Sequence, residues 1–240
     1  MIPLRDNVPR LYPAYATWLI IGLNAGAYLF ELFLPGDALD EFVHLFGVVP
    51  ARFFDPLWAA WVGYPDSLWP FLTYMFLHAG LLHVVLNLWT LWIFADNVED
   101  VMGHGRFFAF YLLCGLAALG LHMLFAPAST APLIGASGAV AGVMGAYIVL
   151  FPQGRVLTFI PVLFVPWIVR IPAGLFLGVW FAIQIISGLT EGVAGASDTA
   201  WWAHVGGFAA GVLLVRVFRR KERCIHCYDS VTRDYGFPDL

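Results

Sequence analysis

The stretch LIGASGAVAGVMGAYIVLF, residues 133–151, decides the fold of this 240-residue chain. It carries no charged side chain and is close to the roughly 20 apolar residues that a helix needs to cross a bilayer. It also contains Ser137, set in the small-residue run Gly135-Ala136-Ser137-Gly138-Ala139. Lipid penalises polar groups, so a serine placed there, with polar partners elsewhere, calls for a functional reason.

Working outward, five more apolar runs cover residues 14–35, 71–95, 107–126, 172–190 and 200–218. The chain is 61% hydrophobic and 12% charged, with a mean hydropathy of +0.80. A soluble domain averages about 25% charged residues, so the composition is that of a polytopic membrane protein. The expected fold is an all-α membrane protein, a six-transmembrane-helix bundle over residues 14–218. A short N-terminal segment (1–13) and a C-terminal tail (219–240) flank it. The first ten residues hold two arginines, but the apolar run behind them is long enough to span, so it reads as span 1 rather than a cleavable signal. The net charge of −4 is small and no basic tract points to nucleic acid, so no nucleic-acid partner is expected.

Placing the connections alternately on two sides puts Arg5, Arg10, Arg106, Arg155, Arg170, Arg216, Arg219, Arg220, Lys221, Arg223 and Arg233 together. Arg52 is the one Lys or Arg on the other side. That asymmetry assigns both termini to the cytoplasm, and a prokaryotic plasma membrane is the expected location. The long outer connection, 36–70, interleaves Phe53, Phe54, Trp58, Trp61, Tyr64 and Trp69 with Asp55 and Asp66. Such aromatic content suits the headgroup region.

Orientation brings three polar sites to one depth. Span 2 enters from outside with His83 and Asn87, span 4 with Ser137 in its first turns, and span 6 with His204 about one turn in. His83 and Asn87 are four apart and share a helix face. In span 4, Ser137, Ala141 and Gly145 form a line of small residues, with Gly138 and Gly142 beside it. In span 6, Ala203, Gly207 and Gly211 form another, flanking His204. Small residues at this spacing let membrane helices approach closely, which would bring the serine hydroxyl to the imidazole.

A serine hydroxyl becomes a nucleophile when a neighbouring base takes its proton, and His204 is the candidate base. His83, Asn87 and the main-chain N–H of Ser137 are candidate donors to a developing oxyanion, with Gly135 and Gly138 leaving room for a substrate carbonyl. Spans 2, 4, 5 and 6 contain no Asp or Glu, so a Ser–His dyad is expected rather than an acid-assisted triad. The HExxH pattern of zinc proteases is absent, as are paired intramembrane carboxylates.

The combination His83-Val-Val-Leu-Asn87, Gly135-Ala-Ser137-Gly138 and Ala203-His204 with Gly207-xxx-Gly211 resembles the rhomboid family of intramembrane serine proteases. The resemblance extends over all six spans. It implies Ser137 as nucleophile, His204 as general base, and His83, Asn87 and the Ser137 amide as oxyanion hole. Glu99-xxx-Gly103 also looks like a family element, holding a helix end. Transmembrane or membrane-anchored proteins, cut near the outer face, are the implied substrates, with the lipid bilayer as the other partner. No metal and no cofactor are implied. Two positions depart from the pattern. Ala141 stands where many members carry an aromatic that packs on the catalytic histidine, so His204 must be held otherwise, by Trp201, Trp202 or a residue of span 5. Trp69-Pro70 replaces a Trp-Arg pair that closes the first loop.

Two rival functions use the same residues: a catalytically silent scaffold that binds client transmembrane helices, and a small-solute channel or transporter. The scaffold would be expected to lack the serine or the histidine; the transporter would need charged pairs or broken helices at mid-membrane. In the tail, Cys224-Ile-His226-Cys227 is half of a zinc-ligand pattern without a second ligand pair. The three cysteines do not suggest a disulfide framework.

Overall fold

The computed structural model describes residues 1–63, 67–162, 165–194, 200–229 and 234–235. Tyr64 and Asp66 of the long connection, residues 195–199 before span 6, and Arg233 of the tail lie outside the described residues. Strand β1 (Ile2–Arg5) precedes helix α1 (Tyr15–Glu31). The long connection folds into α2 (Gly36–Phe46), α3 (Ala51–Phe54) and α4 (Pro56–Val62). Next come α5 (Pro70–Thr73), α6 (Leu81–Met102), α7 (His104–Phe125) and α8 (Ser137–Leu150). The hairpin β2 (Arg155–Val162) and β3 (Val165–Pro172) leads to α9 (Ala173–Ala194) and α10 (Trp201–Phe218).

Among the described residues four helices, α6, α7, α9 and α10, are long and apolar enough to cross a membrane. Helices also stand where spans 1 and 4 were expected, but α1 has 17 residues and α8 only 14. Fourteen residues rise about 21 Å, short of a hydrocarbon core of about 30 Å. Every residue of α8 from Gly138 to Tyr147 is buried within the protein. The first four residues of its apolar run, Leu133–Ala136, are loop.

Span 2 differs more. The apolar run from 71 reads as a span start, yet the long helix begins at Leu81 and runs on to Met102. Pro70 opens only a short turn of helix, and Leu77 and Gly80 are both extended, so the chain must restart at Leu81. His83 therefore sits in the first turn of α6, nearer one end than the apolar run suggested.

At the other end of α6, charged residues organise the bundle. The buried Glu99 carboxylate accepts from the main-chain N–H groups of Ala16 and Thr17 at 2.9 and 2.8 Å and from the Thr17 hydroxyl at 2.7 Å. It thereby caps the N-terminus of α1, whose first N–H groups have no partner in their own helix. Asp100 accepts likewise from the main chain at Leu11 and Tyr12. Glu99→Ala strips three buried donors of their acceptor and is expected to cost about 2–4 kcal/mol, read as a lowered melting temperature in detergent. An unchanged melting temperature would remove Glu99 from this role.

The all-α expectation needs correcting in the connection between the apolar runs 133–151 and 172–190. A three-stranded antiparallel sheet, order β1-β2-β3, forms there. Residues 155–162 and 165–172 are rich in β-branched and aromatic side chains, which suit a pleated surface. β1 is fastened to the helices as well: Trp89 Nε1 donates to the Pro3 carbonyl at 2.6 Å, and the Tyr147 hydroxyl donates to Asp6. Burial pushes the Asp6 carboxyl up to about 6.

The first loop, which ends in Trp69-Pro70 rather than a Trp-Arg pair, is held by main-chain contacts. Val48 bridges Leu133, and Ala51 N–H donates to Ser129 O at 2.9 Å. In the tail, Cys224 and Cys227 are joined in a disulfide with Cα atoms 5.1 Å apart. Both thiols of the half zinc pattern are thus used in a bond that the sequence reading had not anticipated.

Candidate active site

Helix α8 places Ser137 at its first residue, and α10 carries His204 one turn from its start. His204 Nε2 lies 2.8 Å from Ser137 Oγ. The approach depends on glycine. A Cβ at Gly207 would sit 1.9 Å from the Gly138 carbonyl oxygen, and one at Gly211 would sit 1.9 Å from that of Gly142. The helices therefore meet backbone on backbone. Their seam runs through Gly138 and Gly142, the line beside Ser137-Ala141-Gly145, with Gly145 resting on the main chain of Phe208.

Gly135 shapes the approach to the serine. Its φ of 122° is a conformation that side chains with a Cβ rarely adopt, and a Cβ there would lie 2.8 Å from His83 Cε1 and Nε2. Ala79 N–H donates to His83 Nδ1 at 3.4 Å, which leaves the ring proton on Nε2, the nitrogen facing Gly135. Asn87 is buried, and its Nδ2 has no hydrogen-bond partner among the described residues. The Ser137 main-chain N–H falls in the first turn of α8 and has no intrahelical acceptor.

These groups open onto one cavity of about 760 Å³, lined among others by His83, Asn87, Ser137, Phe176, Trp180 and His204. It follows α6 from His83 to Phe94, roughly 16 Å at 1.5 Å per residue, and Met1–Pro3 line it too. The space is long, mostly apolar and polar beside Ser137, a shape that accepts an extended peptide next to a greasy segment. The arrangement has the parts for acyl transfer: a hydroxyl on a base, and three donors near it.

The support of His204 comes from span 5. Gln184 of α9 is buried, and its Oε1 lies 2.8 Å from His204 Nδ1. Trp180 and Trp201 flank the imidazole with ring centroids 5.9 and 6.1 Å away. Trp202 faces elsewhere, stacked on Phe125 at 3.9 Å. Ala141, fully buried, leaves the place of the missing aromatic empty of any ring of its own. Gln184 had not been singled out. The signal was present, since it is the one amide in an apolar span otherwise free of charge.

Residues 65–221 match the family model described as Rhomboid domain. The chain is similar to "Rhomboid protein 1, mitochondrial" of Saccharomyces cerevisiae, 31% identical over 147 residues, which are 58% of this chain and 38% of that protein. It is 36% identical to "Rhomboid protease GluP" of Bacillus subtilis over 87 residues, 36% of this chain and 17% of that protein. With "RHOMBOID-like protein 6, mitochondrial" of Arabidopsis thaliana it shares 38% identity over 81 residues, 34% of this chain and 26% of that protein. Each match covers well under two thirds of the relative's own length.

Proposed function

The chain belongs to the rhomboid family, an integral membrane protein group that includes serine proteases, and from this premise we propose that it is an intramembrane serine endopeptidase. In this reading α1 and α8 complete a six-helix bundle, both termini lie on the positively charged cytoplasmic side, and substrates are transmembrane or membrane-anchored proteins cut near the outer face. The relatives named above are mitochondrial and bacterial, and the charge bias sets a side rather than a particular membrane. The observation that carries the reading is the 2.8 Å contact between Ser137 Oγ and His204 Nε2.

Ser137 Oγ attacks the scissile carbonyl while its proton passes to His204 Nε2, and the carbonyl π pair moves onto oxygen. His83 Nε2–H, Asn87 Nδ2–H and the Ser137 N–H surround the place where that negative charge develops. His204 then hands the proton to the leaving amine as the C–N bond breaks. Water repeats the sequence on the acyl-enzyme and releases the serine. The unpartnered Asn87 amide supports this assignment, because a buried donor without an acceptor is costly unless an oxygen arrives to meet it. No step calls for a metal or a cofactor.

The silent-scaffold reading keeps the same fold and cavity but gives no reason for a hydrogen-bonded serine and histidine at the cavity wall. Incubating the purified protein in detergent with a panel of labelled single-span peptides separates the two. The protease reading expects discrete fragments from some peptides; binding without fragments across the panel favours the scaffold. Asn87→Ala is expected to lower turnover about 10²–10³-fold with peptide binding intact, since other donors remain. Unchanged turnover would take Asn87 out of the oxyanion hole.

A further inference from the structure

We infer that Gln184 is a positioning residue that fixes the tautomer and orientation of His204, the place an acid occupies in soluble serine hydrolases. The inference rests on the hydrolase reading above and deepens it. An imidazole can accept a proton from Ser137 only if Nε2 is bare, which requires the ring proton on Nδ1. That N–H points into the protein, where an acceptor must meet it. Gln184 Oε1, 2.8 Å away, is the acceptor.

A glutamine could present either end of its amide, and the NH₂ end would force the wrong tautomer. Here the other end is committed: Gln184 Nε2 donates to the Trp180 carbonyl one turn earlier in α9, at 3.2 Å. The chain of donors is therefore ordered from Gln184 to Trp180 O, from His204 Nδ1 to Gln184 Oε1, and from Ser137 Oγ to His204 Nε2. Trp180 and Trp201 close on the ring from its sides and restrict its swing.

An amide suits this place better than a carboxylate. Its dipole orients the imidazole and accepts from the imidazolium that forms in the reaction, without burying a formal charge among apolar spans. Gln184 touches neither substrate nor the reacting atoms, so it acts only through His204. It also explains why Ala141 can lack an aromatic ring: the restraint on His204 has moved to span 5.

The test uses the full chain in detergent micelles with ¹⁵N-labelled histidine, the His204 signals being assigned by their loss in His204→Gln. The wild type is expected to show a protonated Nδ1 and a bare Nε2 at neutral pH. Gln184→Leu is expected to mix the tautomers and lower kcat about 10²-fold at nearly unchanged KM, while Gln184→Glu, which keeps an oxygen in place, returns to within about tenfold of wild type. A wild-type ring protonated on Nε2 would overturn the inference, as would Gln184→Leu with wild-type tautomer and kcat. Should Gln184→Leu misfold, the wild-type spectrum and the Gln184→Glu rate still decide. The spectrum reads the proton whether or not peptides are cut. A protein with the expected tautomer but no turnover would thus count against the protease reading alone.

Discussion

Ser137→Ala is expected to reduce peptide cleavage by about 10⁴-fold or more, and His204→Gln by a comparable factor. The reason is that neither group does chemistry alone. Without the imidazole at 2.8 Å the hydroxyl keeps its proton, and without the hydroxyl the imidazole has nothing to activate. Residues that act as one unit are far from additive, so the double variant should be no slower than either single one. Initial rates on a cleavable single-span peptide, compared across the four proteins, measure this directly. Independent, multiplying losses would mean that the two residues serve different steps.

Gly207→Val is expected to abolish activity and to lower the melting temperature sharply, without touching any reacting atom. A Cβ at this position would already sit 1.9 Å from the Gly138 carbonyl oxygen, and valine adds two methyl groups beyond it. The obstacle is main chain, which cannot rotate aside as a side-chain tip does. Overpacking a tight core costs about 1–3 kcal/mol or more even where side chains can give. Here the helices carrying Ser137 and His204 must separate, so loss of stability and loss of the Ser137–His204 contact arrive together. Thermal unfolding in detergent and cleavage rates check both. Wild-type values for either would show that α8 and α10 do not need backbone contact at this point.

Several features of this site are legible in the sequence because lipid makes polar residues conspicuous. His83, Asn87, Ser137 and His204 stand out in apolar runs, and glycine spacing points to close contact between the two helices that bear Ser137 and His204. What the spacing could not settle was which glycines meet. The seam uses Gly138 and Gly142, joined farther along by Gly145 of the line through Ser137, while Ser137 itself lines the cavity. Gln184 is polar and intramembrane too, yet its meaning depends on how α9 is rotated and raised against α10, and no periodicity within either helix encodes that. The start of α6 was hidden for a different reason: residues 71–77 are apolar but for Thr73, and hydropathy does not register extended backbone at Leu77 and Gly80. The sheet was hidden by distance. β2 pairs with β1, whose residues lie about 150 positions earlier in the chain, and only their meeting turns a connecting loop into structure.

Glu99 and Asp100 illustrate the reverse case. Both lie in the last turns of α6, where the resemblance implies that Glu99-xxx-Gly103 holds a helix end. Each is buried and receives main-chain donors from the segment around the start of α1. Their chemistry was plain from the sequence, but their partners, more than eighty residues away, were not. That tie and the glycine seam act on the same bundle from different sides, one fixing α1 on α6 and the other fixing α10 on α8.

The most direct measurement is the mass of the adduct left by a fluorophosphonate probe and its position in the chain. Treated with such a probe in detergent, the protein should gain one phosphonyl group, mapped by peptide mass spectrometry to Ser137, and Ser137→Ala should gain none. Labelling of Ser137→Ala at the wild-type rate, or an adduct mapped to a different side chain, would contradict the assignment of Ser137 as the nucleophile.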